Sequence, residues 1–417
     1  MERVAADLAG AVDQDRLWSR LMMLAEFGKI ADGGVNRQAL SPEEAQARAY
    51  LVAEARALGL SAFTDCAGNL FLRLEGIQPD LPAVLVGSHI DSQPNGGRFD
   101  GAAGVLSGLE AVATMVAARQ CPKRAIEIVA WTNEEASRFA PGMSGSEVFT
   151  GGTPIETVRA LTDSDGISFG AALDAILAGD NEVPLRAIKR PYHAFIELHI
   201  EQGPELERKG IPVGIVTGMQ GTRRYRVTVE GEAAHAGTTP RSERKDALMA
   251  AARMICAMDK AAVDPAGIKL TVGRLDVSPN APSVVPERAF FSVDIRHPDN
   301  KVIDSLDIEI RAIVEGEAGP CRVNLKQIAH APSLDFPQDV RSVLQEAAVS
   351  LSLPTADLYS AAGHDARQLH YFCPTGMIFI PCRGGISHNP AEWSEADHVA
   401  AGARLLTATL WRLANDV

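Results

Sequence analysis

Histidines and carboxylates gather at four places in this 417-residue chain, each at or just after the end of a short apolar run. Residues 83–87 (AVLVG) lead into SHIDSQPNGGRFDG, which carries His89, Asp91 and Asp100. Residues 125–131 (AIEIVAW) lead into TNEE, with Glu134 and Glu135. His199 lies near the end of 194–200 (AFIELHI), and His388 follows 377–380 (MIFI) within GGISHNPAE. Imidazole mixed with carboxylate suits divalent cations, Zn first, with Mn or Co as substitutes. Five such groups from four strand ends are what two ions need: a carboxylate able to bridge, and one imidazole plus one further ligand for each ion, with room for a shared water. Singly these residues mean little. An HxD in a loop is often a hydrogen-bonded surface pair, a Glu-Glu pair often starts a solvated helix, and a lone histidine is often a core residue. Their joint placement carries the reading.

To bring these groups together, the four runs must be neighbouring buried strands. Short apolar runs separated by helical patterns are the signature of largely parallel strands in an α/β domain, where ligands bind outside the carboxyl ends. Residues 102–118 fit a covering helix, and right-handed crossovers would place helices on both sheet faces. At 223–230 (RRYRVTVE) the pattern changes to period two, as in a strand with one wet face. A helix at 244–261, strands at 268–276 and 288–296, a helix at 301–315 and a strand at 321–329 then give βαββαβ, the ferredoxin-like order. The expected organisation is a catalytic metal-binding domain of residues 1–214 plus 329–417, interrupted by an inserted domain of residues 215–328.

Composition bounds the function. Apolar residues make up 46% and charged residues 22%, as in a folded soluble protein, and the formal charge is −13. Such an acidic chain lacks the basic excess that binding to nucleic acid or anionic lipid requires. Six scattered cysteines without a CxxC pair read as reduced thiols. The first twenty residues mix charge through every apolar stretch, and no later run is a membrane span, so a cytoplasmic location is expected.

The motifs GSHIDSQPNGGRFDG, WTNEEASRF, ELHIEQG, HAGTTPRSERKDA, VVPERAFFSVDIR, GHDA and GISHNPAE, in this order and across nearly the whole chain, resemble the zinc-dependent amidohydrolases of the hydantoinase/carbamoylase family. These are related to dinuclear aminoacylases and carboxypeptidases. The resemblance implies that His89 and His199 hold one ion, Glu135 and His388 the other, and that Asp100 bridges them. Asp91 would accept the proton of the His89 nitrogen facing away from the metal. Glu134 would be the general base, taking a proton from the attacking water and passing it to the leaving amine. His235, in HAGTTP, would supply an oxyanion donor, reaching the other subunit of a homodimer joined through the inserted domains. Arg296 would pair with the substrate carboxylate. Arg244, His364 and Asp365 would lie at the site perimeter.

Three positions depart from the family pattern. Ser283 stands where an Asn commonly helps to hold substrate, and Asn280, three residues earlier, could replace it only after a loop shift. Arg241 stands for a common Met, and Ala136 for a usual Gly after the Glu pair. The activity implied is metal-dependent hydrolysis of an N-carbamoyl amino acid to the amino acid, CO2 and NH3, on a small carboxylate-bearing substrate. Alternatives are allantoate amidohydrolase, a dipeptidase or aminoacylase, and a non-catalytic binding protein of the same fold.

Overall fold

The computed structural model describes residues 1–179, 182–188, 191–263 and 267–416, which fall into two compact units. The first comprises residues 1–217, 336–358 and 362–417, and the second 218–335 and 359–361.

Six strands precede the second unit or lead into it: β1 (Ser61–Thr64), β2 (Leu70–Leu74), β3 (Ala83–His89), β4 (Ile126–Trp131), β5 (Tyr192–Ile200) and β6 (Val213–Met219). Then come β7 (Gly221–Glu230), β8 (Ala234–His235), β9 (Lys269–Thr271), β10 (Leu275–Ser278), β11 (Val284–Val285), β12 (Arg288–His297), β13 (Arg322–Ala331) and β14 (Leu334–Asp335). The last two are β15 (Thr355–Ser360) and β16 (Thr375–Ile380). The sheet of the first unit runs β1-β2-β4-β3-β5-β16-β6. Its centre, β4-β3-β5-β16, is parallel, whereas β1, β2 and β6 join antiparallel. The fold is therefore mixed α/β with a parallel core, and the four apolar runs read from the sequence are that core. The antiparallel flanks are the addition: β1 and β2 are short and carry no long apolar run.

Every residue of β3, β4 and β16 is buried, because helices cover both faces. The helix Ala102–Ala117 is buried over almost its whole length. It approaches the sheet so closely that a Cβ on Gly104 would lie 2.2 Å from the Leu198 carbonyl oxygen of β5. The adjacency of β4, β3, β5 and β16 puts the carboxyl ends of all four side by side, and a ligand site belongs there.

In the second unit β10-β12-β7-β13 form an antiparallel sheet, with β9 also paired to β12. The helices Ala247–Ala261 and Asn300–Gly316 pack on one face, against Tyr225, Val227, Phe291, Val293 and Ile295. The strand expected at 268–276 is two short pieces, β9 and β10, separated by a segment containing Gly273. The helix expected from 244 starts at Ala247, where the Asp246 carboxylate accepts the Met249 N–H as an N-cap.

The loop after β4 has left-handed backbone at Asn133 (φ 57°), Ala136 (φ 56°) and Met143 (φ 55°). A side chain at such a position clashes with its own backbone, a cost of about 1–2 kcal/mol that glycine escapes at some loss of unfolded-chain entropy. The Gly expected after the Glu pair thus has a conformational reason, and Ala136 carries the strain. Ala136→Gly is expected to stabilise the protein by about 0.5–1 kcal/mol, read as a higher urea midpoint at unchanged slope.

Candidate functional site

His89 is the last residue of β3 and His199 the next-to-last of β5, both 1% exposed. Asp100 lies at the mouth of the loop that follows β3. It is delivered by Gly101, whose φ of 63° turns the chain into the helix Ala102–Ala117. A Cβ on Gly101 would sit 2.5 Å from the His89 ring, so the ring and this turn fit only with glycine there.

The Asp100 carboxylate is the centre of the cluster. His199 Nε2 is 3.0 Å and His89 Nε2 3.4 Å from Oδ1, and His388 Nε2 is 3.3 Å from Oδ2. The same His388 nitrogen is 3.3 Å from Glu135 Oε2, and Glu134 Oε2 is 3.7 Å from His89 Nε2. Two groups of potential ligand atoms, His89–Asp100–His199 and Asp100–Glu135–His388, each lie within 4.8 Å of one another and share Asp100. The five sequence-read ligand candidates and Glu134 are thus brought to one place. His388 reaches it from left-handed backbone, φ 54°.

Donor chemistry tests whether this set suits cations. The Nδ1 atoms of His89 and His199 each lie 2.9 Å from a main-chain carbonyl, those of Asp91 and Ile200. A carbonyl only accepts, so each ring carries a proton on Nδ1 and turns Nε2 to Asp100, where a bound cation would take the place of any proton on that nitrogen. Imidazole Nε2 atoms and carboxylate oxygens converging on the same points are what a cation between them satisfies. The set fits two divalent ions.

The electrostatics agree. Burial opposes charge on His89, yet Glu134, Asp100 and Asp91 together hold its pKa well above the usual value. His199 is raised as well, with Asp100 outweighing burial. Burial, helped by Asp100, pushes Glu135 up to about 7 against the pull of His89 and His388. Burial likewise lifts Glu134 well above the ordinary carboxylate range, with Asp365, Glu135 and Asp91 adding to it and His89 opposing. This is acidic surplus in a dry place, the condition under which positive ions bind.

The reading of Asp91 needs correction. The acceptor at His89 Nδ1 is its main-chain carbonyl; its carboxylate stands 3.6 Å away. That carboxylate instead accepts the main-chain N–H groups of Glu134 and Glu135, at 3.2 Å each. It fixes the turn carrying both glutamates. His364 is also displaced from its expected place at the perimeter. It is 2% exposed, with its ring edge-on to His199 at 4.3 Å between centroids, so it packs against the His199 ring. A third group, Glu197–His199–His364, is less open to an ion because the Glu197 oxygens already accept Ser88 Oγ and the Ala366 N–H. Asp365 is buried and accepts from Ser146 Oγ.

Four contributors went unread in the sequence. Glu392 accepts the N–H groups of Phe99 and Asp100 at 2.9 and 3.0 Å and the Ser387 hydroxyl at 2.8 Å. Gln202 donates to Asp100 Oδ2 at 2.8 Å, with the Ser387 hydroxyl oxygen 3.1 Å from the same atom, while Gln93 donates to Glu135 Oε2 at 2.8 Å. All four lie inside the quoted motifs, which was their available signal.

In the second unit, His235 lies in β8, paired with Val284 of β11. Its Nδ1 accepts the N–H groups of Gly237 and Thr238 at 3.0 and 3.2 Å, which leaves the proton on an exposed Nε2. Ser283 accepts the Ala236 N–H through its carbonyl, and Arg244 donates to the carbonyls of Ala236 and Thr239. Ser283 and Arg244 therefore hold the His235 loop. Asn280 has left-handed backbone, φ 56°, in the loop before β11. Arg296 grips Asp294 of its own strand by Nε and Nη2, at 3.0 and 3.1 Å, and donates Nη1 to the Ala361 carbonyl. Of the five guanidinium N–H groups, two remain for a ligand.

Because Glu392 fixes the main chain of Asp100, Glu392→Ala is expected to weaken metal retention by about 10- to 100-fold, the usual effect of removing a support behind ligands. Competition with a chromogenic chelator measures it; unchanged retention would show that Asp100 is held without Glu392.

Residues 85–412 match the peptidase family M20/M25/M40. The chain is 40% identical to an N-carbamoyl-L-amino acid amidohydrolase of Geobacillus stearothermophilus, over 97% of this chain and 99% of that protein. It is 36% identical to an allantoate amidohydrolase of Bacillus subtilis, over 94% and 95%. The solved structure of an amidase of the hydantoinase/carbamoylase family from Burkholderia multivorans superposes with TM-score 0.90 at 40% identity, over 97% and 99% of the two chains. A match over most of the chain, joined to relatives this similar along their whole length, shows that this protein belongs to peptidase family M20/M25/M40, among its hydantoinase/carbamoylase amidases.

Proposed function

We propose that this protein hydrolyses the carbamoyl group of an N-carbamoyl amino acid at a centre of two divalent cations. The observation that carries the reading is Asp100 shared between two ligand groups, His89–Asp100–His199 and Asp100–Glu135–His388. Relatives of 40 and 36% identity that cut carbamoyl amino acids and allantoate support the substrate class.

His89 and His199 would hold one ion, Glu135 and His388 the other, with Asp100 between them. Zn suits this nitrogen and oxygen set first, with Mn or Co able to replace it. When bound, the ions polarise the carbonyl and make water acidic enough to lose a proton near neutral pH. Glu134, 11% exposed and committed to no ligand group, receives that proton. The water oxygen bonds to the ureido carbon, the bond from that carbon to the amino acid's nitrogen breaks as Glu134 passes the proton to that nitrogen and the amino acid leaves, and the carbamic acid left behind falls to CO2 and NH3. His235 offers its Nε2 proton to the developing oxyanion, and the two remaining N–H groups of Arg296 take the substrate carboxylate.

The sheet order β13-β7-β12 with β9 and β10 outermost, under two helices, supports reading the second unit, 218–335 with 359–361 where 215–328 was expected, as a ferredoxin-like lid and dimerisation domain inserted in a catalytic domain. A homodimer joined through it would let His235 serve the partner's centre. No described helix is long and apolar enough to cross a membrane, and with cysteines unpaired a cytoplasmic setting suits the chain.

Ammonia release from an N-carbamoyl-L-amino acid, N-carbamoyl-β-alanine and allantoate, using protein stripped of metal and reloaded with Zn, Mn or Co, tests this. Fastest metal-restored turnover of the N-carbamoyl-L-amino acid is expected. Turnover of allantoate alone would establish the alternative within the same chemistry, and silence on all three would sink the proposal. Glu134→Gln should keep its metal and lose at least about 100-fold in rate, whereas near-normal turnover would remove Glu134 from the mechanism.

A further inference from the structure

The open face of the second unit's sheet holds a charge arrangement that the proposed reaction does not yet use. β9 runs antiparallel to β12 with Lys269 opposite Arg296 and Thr271 opposite Asp294, and on the other side β12 sets Asp294 opposite Arg224. Residues directly opposite in a ladder project to the same face, so Arg224, Asp294, Arg296 and Lys269 form one surface. Like charges facing each other across a ladder are destabilising, and Lys269 against Arg296 is such a pair.

The single carboxylate lining this face is engaged by both arginines: Asp294 accepts from Arg224 at 2.8 Å and from Arg296 at 3.0 and 3.1 Å. Among the described residues no carboxylate pairs with Lys269. Lys269 is exposed, yet partial desolvation against the sheet, and then Arg296, lower its pKa. The three cations and Asp294 line a cavity of about 520 Å³, closed in part by Ile328 and Ala361. That volume admits a small organic acid. Three cations around one acid, in a chain of net charge −13, leave an excess of positive charge concentrated where a ligand can enter.

We propose that Lys269 forms a second carboxylate site beside Arg296, so that the preferred substrate is the N-carbamoyl derivative of an acidic amino acid. Arg296 takes the carboxylate common to every N-carbamoyl amino acid, and Lys269 takes the one on the side chain. The inference rests on the proposed function and names the substrate class within it. An ammonium held off a neighbouring guanidinium gains an anion to separate the two, which turns a repulsive cross-strand pair into a selective one.

The test compares isosteric pairs: N-carbamoyl-L-glutamate against N-carbamoyl-L-glutamine, and N-carbamoyl-L-aspartate against N-carbamoyl-L-asparagine, with metal-loaded protein. The acids are expected to show KM values lower by about 5- to 10-fold, a charge-assisted contact discounted for solvent, at similar kcat. Lys269→Met should bring each ratio to about one, and Lys269→Arg should keep part of the preference, as a surviving charge would. Turnover of the neutral derivatives without preference for the acids overturns this inference alone, as does an unchanged ratio in Lys269→Met. Failure to hydrolyse any of the four overturns it together with the proposed function.

Discussion

One carboxylate facing three imidazoles organises the first unit. Asp100 sits 3.0 to 3.4 Å from the Nε2 atoms of His89, His199 and His388, side chains from three separate stretches of chain. A buried carboxylate without such company is costly, and so are imidazoles aimed at each other without a charge between them. Each therefore makes the others tolerable, and the parallel strands β3, β5 and β16 supply the fixed positions from which they meet. The surrounding contacts then read as supports: Glu392 holds the main chain at Asp100, Asp91 holds the turn of the two glutamates, and Gln202 and Gln93 each satisfy one further oxygen.

The legibility of this centre in the sequence follows from the geometry of parallel sheets. A fully buried strand reads as an uninterrupted apolar run, and its carboxyl end is where a polar side chain becomes conspicuous, so His89, Glu134, Glu135, His199 and His388 stood out. The core of the fold was legible for the same reason. What lay hidden were bonds made by main-chain atoms and by loops. The HxD pattern suggests a carboxylate on imidazole, but the turn after β3 presents the Asp91 carbonyl to the ring and sends the carboxylate to the next loop. Only backbone conformation decides between these, and no residue type encodes it. The buried place of His364 escaped because its depth is set by packing against His199, not by its neighbours in the chain.

The second unit shows the same limit in a ladder. Period two in β7 and β12 announces a sheet with one wet face, yet which residues stand opposite depends on register. Asp294 meets Arg224 across one ladder and Arg296 along its own strand. Nothing in the linear order of DIRHPD shows that the guanidinium is already oriented by a carboxylate two residues away, or that only part of its donor set is left over.

Exposure differs sharply within the centre. His89 and His199 have side chains 1% accessible, whereas that of His388 is 48% accessible on left-handed backbone. The two groups of potential ligands are thus unequal in how water and chelators reach them. Were two ions bound as proposed, the one at His388 would be the first lost to a chelator and the one at His89 and His199 the last.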